Sequence, residues 1–241
     1  MMASLAPAPS APTPAYESRK AQLTDYFDRT AADAWEALTS DAPVGRIRAT
    51  VRAGRDRMRE CLLARLPQEM TGLVLLDAGC GTGALSLAAA QRGAAVTAID
   101  VSPRMVDIAR QRAGRDGRDI RFLVGDMLDP ALGRFDHVVA MDSLIHYPHA
   151  DIARALAGLA ERADHSVLAT VAPRTRMLAA MHAIGRIFPR GNRAPALEPV
   201  DAERLMRRLG TGALPAGFTP RLLERVESGF YISQPLELAR A

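Results

Sequence analysis

Leu75-Leu76-Asp77-Ala78-Gly79-Cys80-Gly81-Thr82-Gly83 is the stretch on which the reading of this 241-residue chain turns. Val74 to Leu76 end an apolar run of the kind that forms a short buried strand. Gly79, Gly81 and Gly83 then read as a loop, and Ala84 to Gln91 as a helix. Glycine at alternate positions lets the backbone turn tightly and approach a ligand where a Cβ would clash. A helix opening on such a loop offers unpaired N–H groups to the carboxylate of an amino-acid-like ligand. The spacing is G-x-G-x-G, with an acid two residues ahead of the first glycine. Dinucleotide sites use G-x-G-x-x-G instead.

Working outward, Val96-Thr97-Ala98-Ile99-Asp100 reads as a second strand ending in an acid. A carboxylate at that place can accept both hydroxyls of a ribose. A helix from Ser102 to Arg112 opens on a Ser-Pro pair, and Ile120 to Val124 forms a third strand before Gly125-Asp126-Met127. Phe135 to Met141 is a fourth strand, and His165 to Val171 a fifth after the helix of Asp151 to Ala163. Such alternation predicts an α/β fold, a parallel sheet with helices on both faces. Ligands then sit at the carboxyl ends of the strands, where Asp77, Asp100, Asp126 and Asp142 all fall.

These features together resemble the class I S-adenosylmethionine-dependent methyltransferases. The resemblance implies a Rossmann-like, mostly parallel sheet whose last strand is inserted antiparallel, with S-adenosylmethionine as co-substrate and no protein-bound metal. It also implies a donor site made of Asp77, Gly79, Cys80, Gly81, Gly83, Asp100, Val101, Asp126, Met127 and Asp142. In that pattern Asp77 lies near the ligand's amino group, Asp126 meets the adenine amino group and Met127 lies against the ring.

Composition sets the bounds. The chain is long enough for one core with helical additions, and its 48% hydrophobic content is ordinary for a globular protein. No apolar stretch reaches the ~20 residues that span a bilayer, so membrane contact is expected to be peripheral at most. Residues 1–15, rich in Ala, Pro and Ser, read as a disordered tail. Cys61 and Cys80 suggest neither a disulfide nor a metal framework, and a cytoplasmic location is expected. A pI near 9.6 invites a nucleic-acid reading. Yet Lys20 is the only lysine in an alanine- and arginine-rich chain of net charge +4, and no aromatics interleave with the basic residues. No nucleic-acid partner is expected.

The core, 67–173, is flanked by helical segments. An N-terminal cap, 16–66, holds a helical pattern from Tyr16 to Leu38, a break at Asp41-Ala42-Pro43, and a second helix with Ile47, Val51, Met58, Leu62 and Leu66 at largely helical spacing. Two readings stand: surface helices with arginines in water, or a roof that excludes water from the donor and brings an arginine to an anionic substrate. Residues 174–215, with Arg174, Arg176, Arg186, Arg190 and Arg193 ahead of any acid, read either as another surface helix or as a basic lid; Leu205 to Leu209 is helical. Residues 216–241 complete the sheet, with strands at Arg221 to Val226 and Phe230 to Ser233.

Met141-Asp142-Ser143-Leu144-Ile145-His146-Tyr147-Pro148, after the fourth strand, is similar to a segment of the magnesium-protoporphyrin IX methyltransferases of chlorophyll and bacteriochlorophyll synthesis. So are Tyr26-Phe27 with Trp35, Val51-Arg52-Ala53-Gly54-Arg55, and Ser228-Gly229-Phe230-Tyr231-Ile232-Ser233. The resemblance implies methylation of the ring-C propionate of magnesium protoporphyrin IX to its monomethyl ester, with a handover of substrate from the large subunit of magnesium chelatase. By motif, His146 orients the carboxylate, Tyr26 closes the site and Arg52 steers the anionic substrate; Tyr147, and Arg186 and Arg190 if 174–215 is a basic lid, are expected to meet the substrate. Two other readings remain open: a methyltransferase for a quinone-pathway phenol, with His146 as base, and a non-catalytic tetrapyrrole carrier.

Overall fold

The computed structural model describes residues 13–30, 35, 38, 39, 45–117, 119–175 and 197–240. Among the described residues, eight strands follow in chain order: β1 (Val74–Ala78), β2 (Ala95–Asp100), β3 (Ile120–Val124), β4 (Phe135–Ala140), β5 (Ala163–Val171), β6 (Phe218–Leu222), β7 (Val226–Ser228) and β8 (Tyr231–Arg240). Their order across the sheet is β3-β2-β1-β4-β5-β8-β6, with β7 paired to β8. The pairs among β1 to β5 are parallel, and β8 lies antiparallel between β5 and β6. The chain order reverses between β1 and β4. Loops leaving their carboxyl ends diverge there and open a crevice.

Successive side chains of a strand face opposite sides of a sheet, and here both sides are covered. Leu76, Val138 and Val167 face one apolar cluster, packed by Ile152, Leu156 and Leu159 of helix His149–Glu161. Their neighbours Leu75, Val139 and Leu168 face another, packed by Leu85 and Ala89 of helix Ala84–Gln91 and by Met58 and Leu62 of helix Arg46–Leu63. Strands apolar on both sides are the mark of a sheet buried between helices. The Ser-Pro start is realised in helix Pro103–Ala113, where Ser102 Oγ accepts from the Met105 amide at 3.2 Å.

Several boundaries differ from the sequence reading. The first helix, Pro14–Asp25, begins inside the expected tail because Thr13 caps it: its Oγ1 accepts from the Tyr16 amide at 3.0 Å and donates to Asp151 at 2.8 Å. That helix does not run unbroken to Leu38; after Asp25 the chain widens into a looser turn, Tyr26–Thr30. At the other end, the run Arg221 to Val226 splits between β6 and β7, and β8 continues to Arg240 because it pairs on both sides. The break at 41–43 and the arginines 176, 186, 190 and 193 lie outside the described residues. Among the described residues, no helix is long and apolar enough to cross a membrane.

Candidate active site

A cavity of about 480 Å³ opens at the carboxyl ends of β1, β2 and β4, within the range of small-molecule sites. Of the expected donor residues, Asp77, Gly79, Cys80, Gly81, Asp100, Val101, Met127 and Asp142 line it. The loop after β1 is held at its base by the Ile99 carbonyl, which accepts from the Gly79 amide at 2.8 Å and the Cys80 amide at 3.0 Å. Gly79 has φ +85, and a Cβ there would come within 2.3 Å of Ser143 Cβ. The glycine loop therefore touches the loop that follows β4. Gly83 stands off the wall and caps helix Ala84–Gln91.

The two acids of this end differ in their partners. Asp77 is buried and Ser86 Oγ donates to its Oδ2 at 2.5 Å. Burial pushes its carboxyl up to about 7; the Ser86 hydrogen bond pulls the other way and the Asp100 charge adds to the rise. Such a group binds a cation by becoming ionised. Asp100 accepts from the Gly81 amide on Oδ2 and from the Ser102 amide on Oδ1, both at 2.9 Å. Burial raises its carboxyl too, against those two hydrogen bonds. Each of its oxygens keeps acceptor capacity for a hydroxyl.

Asp126 is placed differently from the sequence reading. Gly125 and Met127 line the cavity, while the Asp126 side chain between them turns to the first helix. Tyr16 Oη donates to its Oδ1 and Lys20 Nζ to its Oδ2, each at 2.8 Å, and the Leu128 amide donates to Oδ1 at 2.8 Å. This carboxylate pins the cap helix from a position beside the cavity lining. Sequence alone could not show this, because Tyr16 and Lys20 are over a hundred positions away.

The same cavity is also walled by Tyr16, Phe27, Trp35, Arg52, Arg55, Met141, Asp142, Ser143, His146 and Tyr147. His146 is buried on a single turn, Leu144–His146, and meets the edge of Phe27 with centroids 6.3 Å apart. Tyr147 stacks on Tyr16 at 4.8 Å. Tyr26 does not line the cavity; it packs edge-on against Phe27 at 5.2 Å, and Phe27 supplies the wall. Arg52 lines it and donates through Nε to the Leu38 carbonyl at 3.0 Å. Arg186 and Arg190 lie outside the described residues.

Asp142 lines the cavity, but its carboxylate serves the protein. Arg55 donates to Oδ2 at 2.6 Å, Tyr231 Oη and Thr170 Oγ1 donate to Oδ1 at 3.0 and 3.1 Å, and Ser233 Oγ lies at 3.5 Å. With these donors around it, Asp142 anchors the loop after β4 to the rest of the fold. The sequence reading missed Arg55 and Ser143. Arg55 was one arginine among many on its helix; its signal was the adjacent Gly54, where a Cβ would fall 2.6 Å from the Tyr231 ring. Ser143 Oγ is buried beside Gly79 with no hydrogen-bond partner among the described residues.

Two family profiles match the chain: that of a methyltransferase domain over residues 75–164, and that of the magnesium-protoporphyrin IX methyltransferase C-terminus over residues 140–240. The magnesium-protoporphyrin O-methyltransferase of Rhodobacter capsulatus is 46% identical over 224 residues, covering 92% of this chain and 97% of that one. The chain belongs to the magnesium-protoporphyrin O-methyltransferase family. The crystal structure of magnesium protoporphyrin IX methyltransferase from Synechocystis with bound SAH matches with a TM-score of 0.77 at 31% identity, covering 92% of this chain and 100% of that chain. The expected class I fold, with its antiparallel insertion, is thereby borne out. A ubiquinone biosynthesis O-methyltransferase of Xanthomonas euvesicatoria is 34% identical over 152 residues, but the match covers only 59% of this chain and 64% of that one.

Proposed function

We propose that the protein transfers a methyl group from S-adenosylmethionine to the ring-C propionate of magnesium protoporphyrin IX, giving the monomethyl ester. The observation that carries the reading is a match over 92% of the chain to a family so named, together with a cavity lined by both the glycine loop and a buried histidine. The residues fit the donor: Asp77 for its ammonium, Asp100 for the ribose hydroxyls, Val101 and Met127 for the ring, and the backbone of Gly79 to Gly81 for close approach. S-adenosylmethionine supplies an electrophilic methyl group on a cationic sulfur.

The acceptor needs little activation. A propionate, with a pKa near that of Glu at ~4.3, is ionised at neutral pH, so no general base is required. What the protein supplies is position and dryness. Orientation of two reactants is worth up to ~7–11 kcal/mol of barrier, and excluding water strengthens the attraction between carboxylate and cation. In this reading His146 orients the carboxylate, Phe27 and Trp35 face the macrocycle, Tyr26 backs Phe27 from outside the cavity, and Arg52 steers the anionic substrate. The reading carries with it a cytoplasmic enzyme, at most peripherally attached to membrane, that receives its substrate from the large subunit of magnesium chelatase. Adding that subunit should lower the apparent KM for the porphyrin; no change would remove the handover.

Incubation with magnesium protoporphyrin IX and labelled donor should add one methyl mass to the porphyrin. His146→Phe should lower kcat by about 10–100-fold, the scale of a charge-assisted hydrogen bond, and leave SAH affinity intact. Rate profiles from about pH 6 to 10 then separate the acceptors. A carboxylate acceptor gives no alkaline recovery in the mutant. Recovery at high pH points to a phenol that ionises on its own, and porphyrin binding without transfer points to a carrier.

A further inference from the structure

The segments that mark the family lie far apart in the chain and meet at one carboxylate. Asp142 sits just beyond β4 with φ +55, a conformation uncommon for a residue with a side chain. Backbone held there persists where the surroundings over-determine it, and here they do. The Asp142 amide donates to Thr170 Oγ1 at 2.7 Å, and the Thr170 hydroxyl donates back to Oδ1. Tyr231 on β8 and Arg55 on the roofing helix complete the grip. The ion pair is largely desolvated, with side-chain exposures of 22% for Arg55 and 6% for Asp142.

Arg55 also reaches the other way. Its guanidinium carbon lies 4.8 Å from the centroid of the Trp35 ring. Trp35 is parallel to Phe27, within 3° at 5.9 Å, and Phe27 meets His146. The contacts form a closed circuit in the cavity wall: Asp142, Arg55, Trp35, Phe27, His146, and back along four residues of chain to Asp142. A planar guanidinium is suited to the link, since it can hydrogen-bond a carboxylate at its edge while its face lies on an indole. Arg55 and Asp142 line the reaction cavity themselves.

We propose that Arg55, Asp142 and Tyr231 are a positioning unit that sets the His146 loop against the aromatic roof, so that histidine and roof close on the acceptor as one piece. This rests on the methyltransferase reading above. The unit acts on the reacting carboxylate through His146 and leaves the donor end alone. Removing one partner strands the other in a desolvated place, and a misplacement near 1 Å costs on the order of 100-fold in rate.

The test compares wild type, Arg55→Gln, Arg55→Lys, Tyr231→Phe, Asp142→Asn and the Arg55→Gln/Asp142→Asn double variant of the full chain. Each is measured for kcat and porphyrin KM, and separately for SAH affinity by calorimetry. Arg55→Gln should lower kcat about 10–100-fold with SAH affinity within about twofold. Arg55→Lys should restore only part of the loss, because the ammonium keeps the charge but not the planar stack. The double variant should be no slower than Arg55→Gln alone, since the two residues act as a pair. Should the charge variants fold poorly, Tyr231→Phe loses only a hydroxyl and should still lower kcat by about threefold, the scale of one hydrogen bond. Lower thermal stability with unchanged kcat per folded molecule overturns the proposal, as does SAH affinity falling in step with kcat. An inactive wild type defeats the methyltransferase reading itself; an active wild type with equally active variants defeats this inference alone.

Discussion

The donor end of the cavity is made by neighbours in sequence, whereas the acceptor wall is made by strangers. Asp77 takes its hydrogen bond from Ser86, nine residues on, and Asp100 takes one from Gly81, nineteen back. Asp142, across the cavity, is held by Arg55 from 87 residues earlier and by Tyr231 from 89 residues later. The contrast teaches where each kind of specificity is written. The proposed donor end is built from the tips of three strands consecutive in the chain, β1, β2 and β3, within residues 77–127. The acceptor geometry exists only after the roofing helix, the loop after β4 and the β7–β8 hairpin have all docked.

The largest effect is expected where the two regions touch. Gly79→Ala would drive a Cβ toward Ser143 at a φ of +85. Backbone strain of about 1–3 kcal/mol and overpacking of similar size, about 1–3 kcal/mol, should lower both SAH affinity and turnover by roughly 100-fold. Calorimetry beside steady-state rates checks this. If only one of the two changes, the halves are more independent than their contact suggests.

A smaller and one-sided loss is expected at Asp100. Asp100→Ala removes the carboxylate proposed to accept the ribose hydroxyls, and a hydrogen bond to a charged group is worth about 1.5–3 kcal/mol. SAH should bind about 10–100-fold more weakly, while kcat at saturating donor stays near wild type. Unchanged affinity would dismiss the ribose assignment.

The smallest effect is a pH dependence belonging to the donor end. Asp77 titrates at about 7 in the fold, above its ordinary 3.8. Between those values the folded state holds a proton that the unfolded state has lost. The donor-free protein should therefore lose stability as pH rises from 4 toward 7, then level off. Binding of an ammonium-bearing ligand favours the ionised form, so SAH should bind more tightly as pH rises through 7, with proton release below it. Asp77→Asn should flatten both trends. A flat wild-type profile between pH 5 and 8.5, roughly, would show that Asp77 is not the titrating group.

The same contrast explains what could be read before folding. The β-strand ladder, the glycine loop, Asp100 and Met127 were legible because each is a local pattern ending at a strand tip. The antiparallel last strand came from the family resemblance, and β8 bears it out. Asp126 and Asp142 were found at strand ends, but the hydrogen bonds they make to Tyr16, Lys20, Arg55 and Tyr231 were not legible. No periodicity in a segment states which distant side chain will reach it. Arginine-rich composition hid Arg55 further, for Arg46, Arg48, Arg52, Arg57 and Arg59 share its helix. Tyr26 and Phe27 are adjacent in the chain, and only the turn after Asp25 decides which of them faces the cavity.

The clasp between the cap helix and Asp126 also has a use at the bench. Lys20 carries the sole ε-amine of the whole sequence. Burial works against its protonation, yet hydrogen bonds to Asp126 and Glu17 hold its ammonium above the ordinary range. An ammonium so held is a poor nucleophile, and it becomes a better one whenever the helix lifts away from the strand tip. Acylation at this single side chain, followed by peptide mass, is thus a clock for how often the cap opens.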